Sequence, residues 1–277
     1  QLMIQQFESQ FGDRENFPYP YCVYTSIQGT RMSSKKKAIA TRKNSIMHGI
    51  DTSFKLKQII PSTDAQKDVF DAWEEGYNLF MHGCPGTGKT FIALYLAFKK
   101  LLDTGGIPHK KIYIVRSCVQ GRGMGFLPGK PNEKMMEFEG PYADITGELF
   151  GRGDAYSILK AKDSIEFIST SFLRGKTFRD CIIIVDEPQN MNWIECDTII
   201  TRVGPNCKIM FCGDYMQSDL IWKDEREGFR EFIKIIDLME EDFEFIEFEV
   251  GDIVRSEFVK NYITAKLKYE ETLSTTK

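Results

Sequence analysis

From Ser62 onward the chain alternates between two hydrophobic rhythms. Short, nearly continuous apolar runs suit strands buried on both faces. Apolar residues recurring every three or four positions suit helices with one buried stripe. The first rhythm predicts strands at Tyr77–His82, Lys111–Val115, Ser164–Ile168, Cys181–Val185, Lys208–Cys212 and Phe243–Val250. The second predicts helices over Thr63–Glu75, Phe91–Leu102, Glu133–Phe150, Trp193–Val203, Glu227–Met239 and Ser256–Tyr269, with a break at Gly140-Pro141. A long loop is expected from Arg116 to Asn132. Strands alternating with helices predict an α/β fold, a mostly parallel sheet with helices on both faces. Ligands of such sheets bind beyond the carboxyl ends of the strands.

Residues 1–57 keep neither rhythm. Tyr19, Tyr21 and Tyr24 surround a Pro-rich turn, and Arg31, Lys35, Lys36, Lys37, Arg42 and Lys43 make the following stretch basic. A solvated arm is one reading, and a polyanion contact or a clasp on a neighbouring subunit is the other. Residues 58–277 then form one folded domain. The chain has 277 residues, 42% of them hydrophobic, which is enough apolar material for a sizeable core. Its net charge of −4 supplies no global basic field, so any polyanion contact must be local. The seven cysteines are odd in number and contain no C-x-x-C pair, which favours free thiols in a reducing cytoplasm over disulfides or zinc. No apolar run reaches the length of a membrane span.

The strongest chemical signal is Gly83-Cys84-Pro85-Gly86-Thr87-Gly88-Lys89-Thr90, which fits G-x-x-x-x-G-K-[ST] at every fixed position. Glycines let the backbone curl so that successive N–H groups face phosphate oxygens. Lys89 brings a point charge to the β- and γ-phosphates, and the Thr90 hydroxyl is suited to Mg2+. A predicted strand enters the loop and a predicted helix leaves it, with its positive dipole end toward the phosphates. The cofactors expected are therefore ATP and Mg2+.

A second signal is Ile182-Ile183-Ile184-Val185-Asp186-Glu187. Asp186 emerges at a strand end, where it can hold a water of the Mg2+ shell, and Glu187 can orient the attacking water. Asp214 and Gln217 follow the next strand, where a plain structural turn and a γ-phosphate sensor are both open readings. Gln66 lies on the helix before the loop; it is either solvated or reads the adenine edge with its amide. Arg255 follows the last strand, either as a surface ion-pair partner or as an arginine finger on the γ-phosphate.

Together these stretches resemble the PhoH family of ATPases: GCPGTGKTFIALYLA, VRSCVQGRGMGFLPGKPNEK, TSFLRGKTFRD, IIIVDEPQN, TRVGPNCKIMFCGDYMQSDL and DIVRSEFV, in that order over Ser62 to Ala265. The resemblance implies a RecA-like sheet similar to the first motor domain of superfamily 1 helicases. It also implies ATP hydrolysis linked to RNA unwinding and assembly as rings. It assigns the adenine role to Gln66, the sensor role to Gln217 and the finger role to Arg255. Two departures stand out: Arg116-Ser117-Cys118-Val119-Gln120-Gly121-Arg122 replaces the family's usual Arg-Pro-and-acid run, and Pro188 stands where Ala is common.

A single motor domain lacks the second one that completes a helicase ATP site. Arg255 is therefore expected to reach the Lys89 site of a neighbour in a homohexameric ring. Strand-end loops would line the bore, with Arg116, Arg122 and Lys130 in one loop, Arg174, Lys176 and Arg179 in another, and Phe126 and Phe172 interleaved. Cations track phosphates while aromatic rings stack on bases, which suits single-stranded nucleic acid. The other reading of these residues is a solvated surface with both Phe side chains in the core. At the level of function, a nucleic-acid-coupled ATPase competes with an ATP-dependent switch that hydrolyses slowly and binds a protein partner. The acidic tract from Asp224 to Asp252 would be the partner face.

Overall fold

The computed structural model describes residues 54–103, 109–118, 131–214 and 223–275, with the side chains of 131–136, 223–227 and 270–275 excepted. Six strands, β1 (Asn78–Gly83), β2 (Lys111–Arg116), β3 (Ile165–Ser169), β4 (Cys181–Asp186), β5 (Lys208–Cys212) and β6 (Phe243–Phe248), form one sheet in the order β3-β2-β4-β5-β1-β6. Every neighbouring pair is parallel. The apolar runs form the strands because both faces of the sheet are covered. On β4, Ile182 and Ile184 join one core cluster while Cys181, Ile183 and Val185 join the other. A two-residue side-chain period divides one continuous apolar run between two cores.

The first core is built with α1 (Asp64–Glu75), α2 (Lys89–Leu102), α3 (Pro131–Phe150) and α4 (Ala155–Ala161). The second is built with α5 (Trp193–Ile200) and α6 (Lys223–Asp237). A last helix, α7 (Glu257–Thr275), follows β6. Local chemistry sets the helix ends. The Thr63 hydroxyl accepts from the Gln66 amide at the start of α1, and Gly76 closes that helix in the left-handed region. Asn192 and Glu195 form a reciprocal capping box on α5.

Two expectations change. The break at Gly140-Pro141 does not occur, and α3 runs unbroken through Pro141. A proline ring disfavours helical backbone at the preceding residue partly by meeting its Cβ, and Gly140 has none. Burial of Tyr142, Leu149 and Phe150 further stabilises the second half of the helix. The short α4 was not anticipated, because seven residues give too little periodicity to register.

Register fixes where the polar residues emerge. Arg116 pairs with Asp186, Asp186 with Cys212, and Gly83 with Phe248. The carboxyl ends of β2, β4, β5 and β1 therefore open onto one crevice, and β5 lies between the strand of the phosphate loop and the strand of Asp186.

Candidate active site: a phosphate loop and its carboxylates

Between β1 and α2 the chain curls through Gly83, Gly86 and Gly88, with φ of 110°, 76° and 86°. Side chains are excluded there by contact as well as by torsion. A Cβ on Gly83 would lie 2.2 Å from the Phe248 carbonyl oxygen, and one on Gly86 would lie 2.9 Å from Cγ of Arg255. The loop is tied from several sides: Cys84 N–H donates to the Phe248 carbonyl at 2.8 Å and Val254 N–H donates to the Gly86 carbonyl at 3.1 Å. Within it, Lys89 Nζ donates to the carbonyls of Gly83 (2.9 Å) and Cys84 (2.7 Å). Burial draws the Lys89 ammonium below its ordinary pKa, opposed by the Asp214 carboxylate.

Gln66 is buried and its amide is already engaged. Its Oε1 accepts from Ser62 N–H at 2.8 Å, and its Nε2 donates to the Thr87 carbonyl at 3.0 Å. It thus braces the phosphate loop against the start of α1, a positioning role that the sequence did not indicate. One amide hydrogen and one lone pair stay available for a base edge.

Asp186 at the end of β4 is 4% exposed. Thr90 donates its hydroxyl to Oδ1 at 2.8 Å and Tyr142 donates its phenol to Oδ2 at 2.7 Å. An Arg116 guanidinium nitrogen lies 3.9 Å from Oδ2. Burial pushes the Asp186 carboxyl above the usual range, and the Tyr142 and Thr90 hydrogen bonds pull it back. Glu187 follows with left-handed backbone, φ 53° and ψ 48°, and burial beside Asp186 raises its carboxyl too. Gln189, fully buried, donates its amide to Glu187 Oε2 and accepts from Asp214 N–H at 3.2 Å. The acid that follows β4 and the turn that follows β5 are therefore joined through one side chain.

These groups line a single cavity of about 730 Å³ together with Pro85, Gly88, Arg255 and residues of α3. The oxygens of Thr90 and Asp186 suit a hard divalent cation. Among the described residues no cluster of three or more His, Cys, Asp or Glu could hold a metal. Mg2+ does not need one, because it is typically held by one or two protein ligands, waters and substrate phosphates.

Three sequence expectations are placed differently. Arg255 lies against the chain's own phosphate loop, beside Gly86, and lines that chain's own cavity. The Val254–Gly86 hydrogen bond ties this segment to the phosphate loop, and the Arg255 side chain itself is exposed. Arg116 lines the nucleotide cavity beside Asp186 instead of a nucleic-acid loop, because the β2–β4 register sets the two residues opposite each other. The cations of the loop after β3 have different surroundings. Phe172 is 59% exposed and so is not core, and Arg174 is exposed with it at the carboxyl end of β3. Lys176 turns back to pair with Glu166 on β3 and lies over the Tyr113 ring, while Arg179 precedes Asp180, which pairs with Lys110 before the start of β2. Gln217, Arg122, Phe126 and Lys130 lie outside the described residues.

Tyr142 and Gln189 are site residues that the motifs missed. Tyr142 follows the Pro141 that suggested a helix break. Gln189 sits two residues after the Asp-Glu pair, and that nearness to the end of β4 was the available signal.

Comparison with known proteins agrees with this geometry. The sequence model of one protein family, described as PhoH-like protein, matches residues 58–266. A PhoH-like protein of Mycobacterium leprae is 33% identical over 218 residues, covering 78% of this chain and 60% of the relative. One from Bacillus subtilis is 32% identical over 220 residues, covering 78% and 66%. The chain thus spans about three fifths to two thirds of the length of these relatives. Similar solved structures include a Bacteroides Pif1 bound to ssDNA, 17% identical with a TM-score of 0.35, covering 69% of this chain and 42% of that one. A Sulfolobus solfataricus SWI2/SNF2 ATPase core in complex with dsDNA is 10% identical with a TM-score of 0.39, covering 70% and 46%. With its α/β parallel sheet and its phosphate loop, the chain belongs to the PhoH-like protein family.

Proposed function

We propose that this chain hydrolyses ATP in the presence of Mg2+ and couples the hydrolysis to single-stranded nucleic acid. The observation that carries the ATPase reading is the convergence of Lys89, Thr90, Asp186, Glu187 and Arg255 on one cavity. The Gly83–Thr90 loop binds the phosphates through its N–H groups, and Lys89 exchanges its loop carbonyls for phosphate oxygens. Thr90 and Asp186 hold Mg2+, which would neutralise charge on the phosphate oxygens. Glu187 accepts the proton of the attacking water, positioned for this by Gln189. Arg255 stabilises the γ-phosphate charge from within the same chain. Gln66 offers its remaining donor and acceptor to adenine, and Asp214 with Gln217 responds to the γ-phosphate.

Support for a nucleic-acid partner is more local. Phe172 and Arg174 present an exposed ring and a cation one short turn beyond β3, the pairing used for stacking on bases while tracking phosphates. The remainder of the proposed strand path, Arg122, Phe126 and Lys130, precedes α3, a wall of the nucleotide cavity. A homo-oligomer, hexameric by the family resemblance, stays part of the proposal. The second reading, a slow ATP-dependent switch with a protein partner, draws on an acidic hollow of about 340 Å³ whose walls include Asp68, Asp71, Glu75, Glu244 and Glu247.

ATP turnover measured with and without single-stranded RNA and DNA separates the two. A rise with either strand supports the motor. Turnover indifferent to both supports the switch and defeats the coupling.

A further inference from the structure

Asp186 is contacted by a residue that neither the motifs nor the proposed chemistry requires. Tyr142 reaches it from α3, a helix separated from β4 by α4, β3 and a long connection. The phenol is buried at 1% exposure, and its ring packs on Phe167 with centroids 5.8 Å apart. It donates to Asp186 Oδ2 at 2.7 Å. Arg116 itself stands 3.9 Å from Oδ2, beyond hydrogen-bond distance. Oδ2 therefore takes the phenol as its close partner, with the cation that would otherwise pair with it standing farther off.

A half-buried guanidinium this close to a buried carboxylate favours a direct, charge-assisted pair. Such a pair would turn the carboxylate toward Arg116 and away from Thr90. The phenol satisfies Oδ2 with a neutral donor. Asp186 Oδ1 is left on the Thr90 side, where the two oxygens suit a cation.

We propose that Tyr142 is a positioning residue that holds Asp186 away from Arg116 and so keeps the Thr90–Asp186 pair competent to bind Mg2+ with nucleotide. The inference rests on the ATPase reading of the same site. Because Tyr142 sits on the helix that follows the proposed strand-binding loop, it also links that helix to the metal side of the nucleotide.

The test titrates Mg2+ into the full chain with a fluorescent ADP, using wild type, Tyr142→Phe, and Tyr142→Phe combined with Arg116→Gln. Phe keeps the ring and its packing and removes only the hydroxyl. The half-saturating Mg2+ concentration is expected to rise about tenfold in Tyr142→Phe, the typical scale of one lost hydrogen bond to a charged group. ADP affinity in EDTA should be unchanged, and the double variant should return toward wild type because the competing cation is gone. An unshifted Mg2+ dependence, or a shift that Arg116→Gln does not relieve, overturns the inference and leaves the nucleotide site standing. Loss of EDTA-resistant ADP binding in Tyr142→Phe makes its role merely structural and also overturns it. Failure of the wild type to bind the probe at all removes the ATPase reading, and the inference with it.

Discussion

Gly213→Ala perturbs the join between the ends of β4 and β5 without replacing any side chain proposed to meet nucleotide. Gly213 follows β5, with its N–H donating to the Met81 carbonyl at 3.0 Å. A Cβ there would fall 2.3 Å from Gln189 Oε1 and 2.6 Å from Pro188 Cδ. Neither neighbour is free to yield, since Gln189 is 2% exposed and Pro188 belongs to the short turn that carries Glu187 into α5. Overpacking of this kind costs about 1–3 kcal/mol. For a domain of this size each kcal/mol lowers Tm by roughly 2–4 °C. Displacing Gln189 Oε1 breaks its hydrogen bond from Asp214 N–H and carries its amide off Glu187. A misplacement of about 1 Å at a catalytic base costs on the order of a hundredfold in rate. The expected outcome is a melting temperature lowered by several degrees and ATP turnover reduced about tenfold to a hundredfold, with ATP still bound. Gly153→Ala is the control, since a Cβ there meets nothing within 4 Å, and it should be silent. Differential scanning fluorimetry and phosphate release measure both effects. A Gly213→Ala protein with wild-type melting and wild-type turnover would refute the coupling through Gln189.

Other expectations follow from the same geometry. Because burial raises Glu187, it stays protonated to a higher pH than an ordinary glutamate. A general base must be ionised, so turnover should rise with pH through a midpoint above 4.5, and a pH–rate profile locates it. Arg255→Ala should lower turnover by several orders of magnitude, as loss of an arginine finger does. Mixing it with Lys89→Ala should restore nothing if the finger acts in cis, whereas recovery in the mixture would mean that it acts between subunits. Arg174→Ala should weaken single-strand binding about equally across sequences and flatten the log–log salt dependence by roughly 0.7 for the lost phosphate contact, read by fluorescence anisotropy.

Much of the fold was legible because buried parallel strands are nearly continuous apolar runs. Cys181–Asp186 announced itself as a central strand, and all six strands appeared within a residue or two of their expected places. Pro141 misled because its effect depends on the preceding residue, and α4 was too short to show a period. The chemistry of the site was legible where one contiguous segment supplies it, as in Gly83–Thr90 and Asp186-Glu187. It was not legible where register and tertiary packing supply it. Arg116 read as one cation in a basic loop until β2 paired with β4, and Tyr142 carried no signal until α3 packed over Asp186. Arg255 stood out by its segment, but its place beside Gly86 comes only from tertiary packing.

The most direct test of the ATPase claim compares phosphate release and ATP binding by the wild type and Glu187→Gln in Mg2+. The account predicts that the wild type releases phosphate, while the variant binds ATP with similar affinity and releases almost none. Wild-type protein that binds no ATP, or a variant that turns over as fast as the wild type, would contradict it.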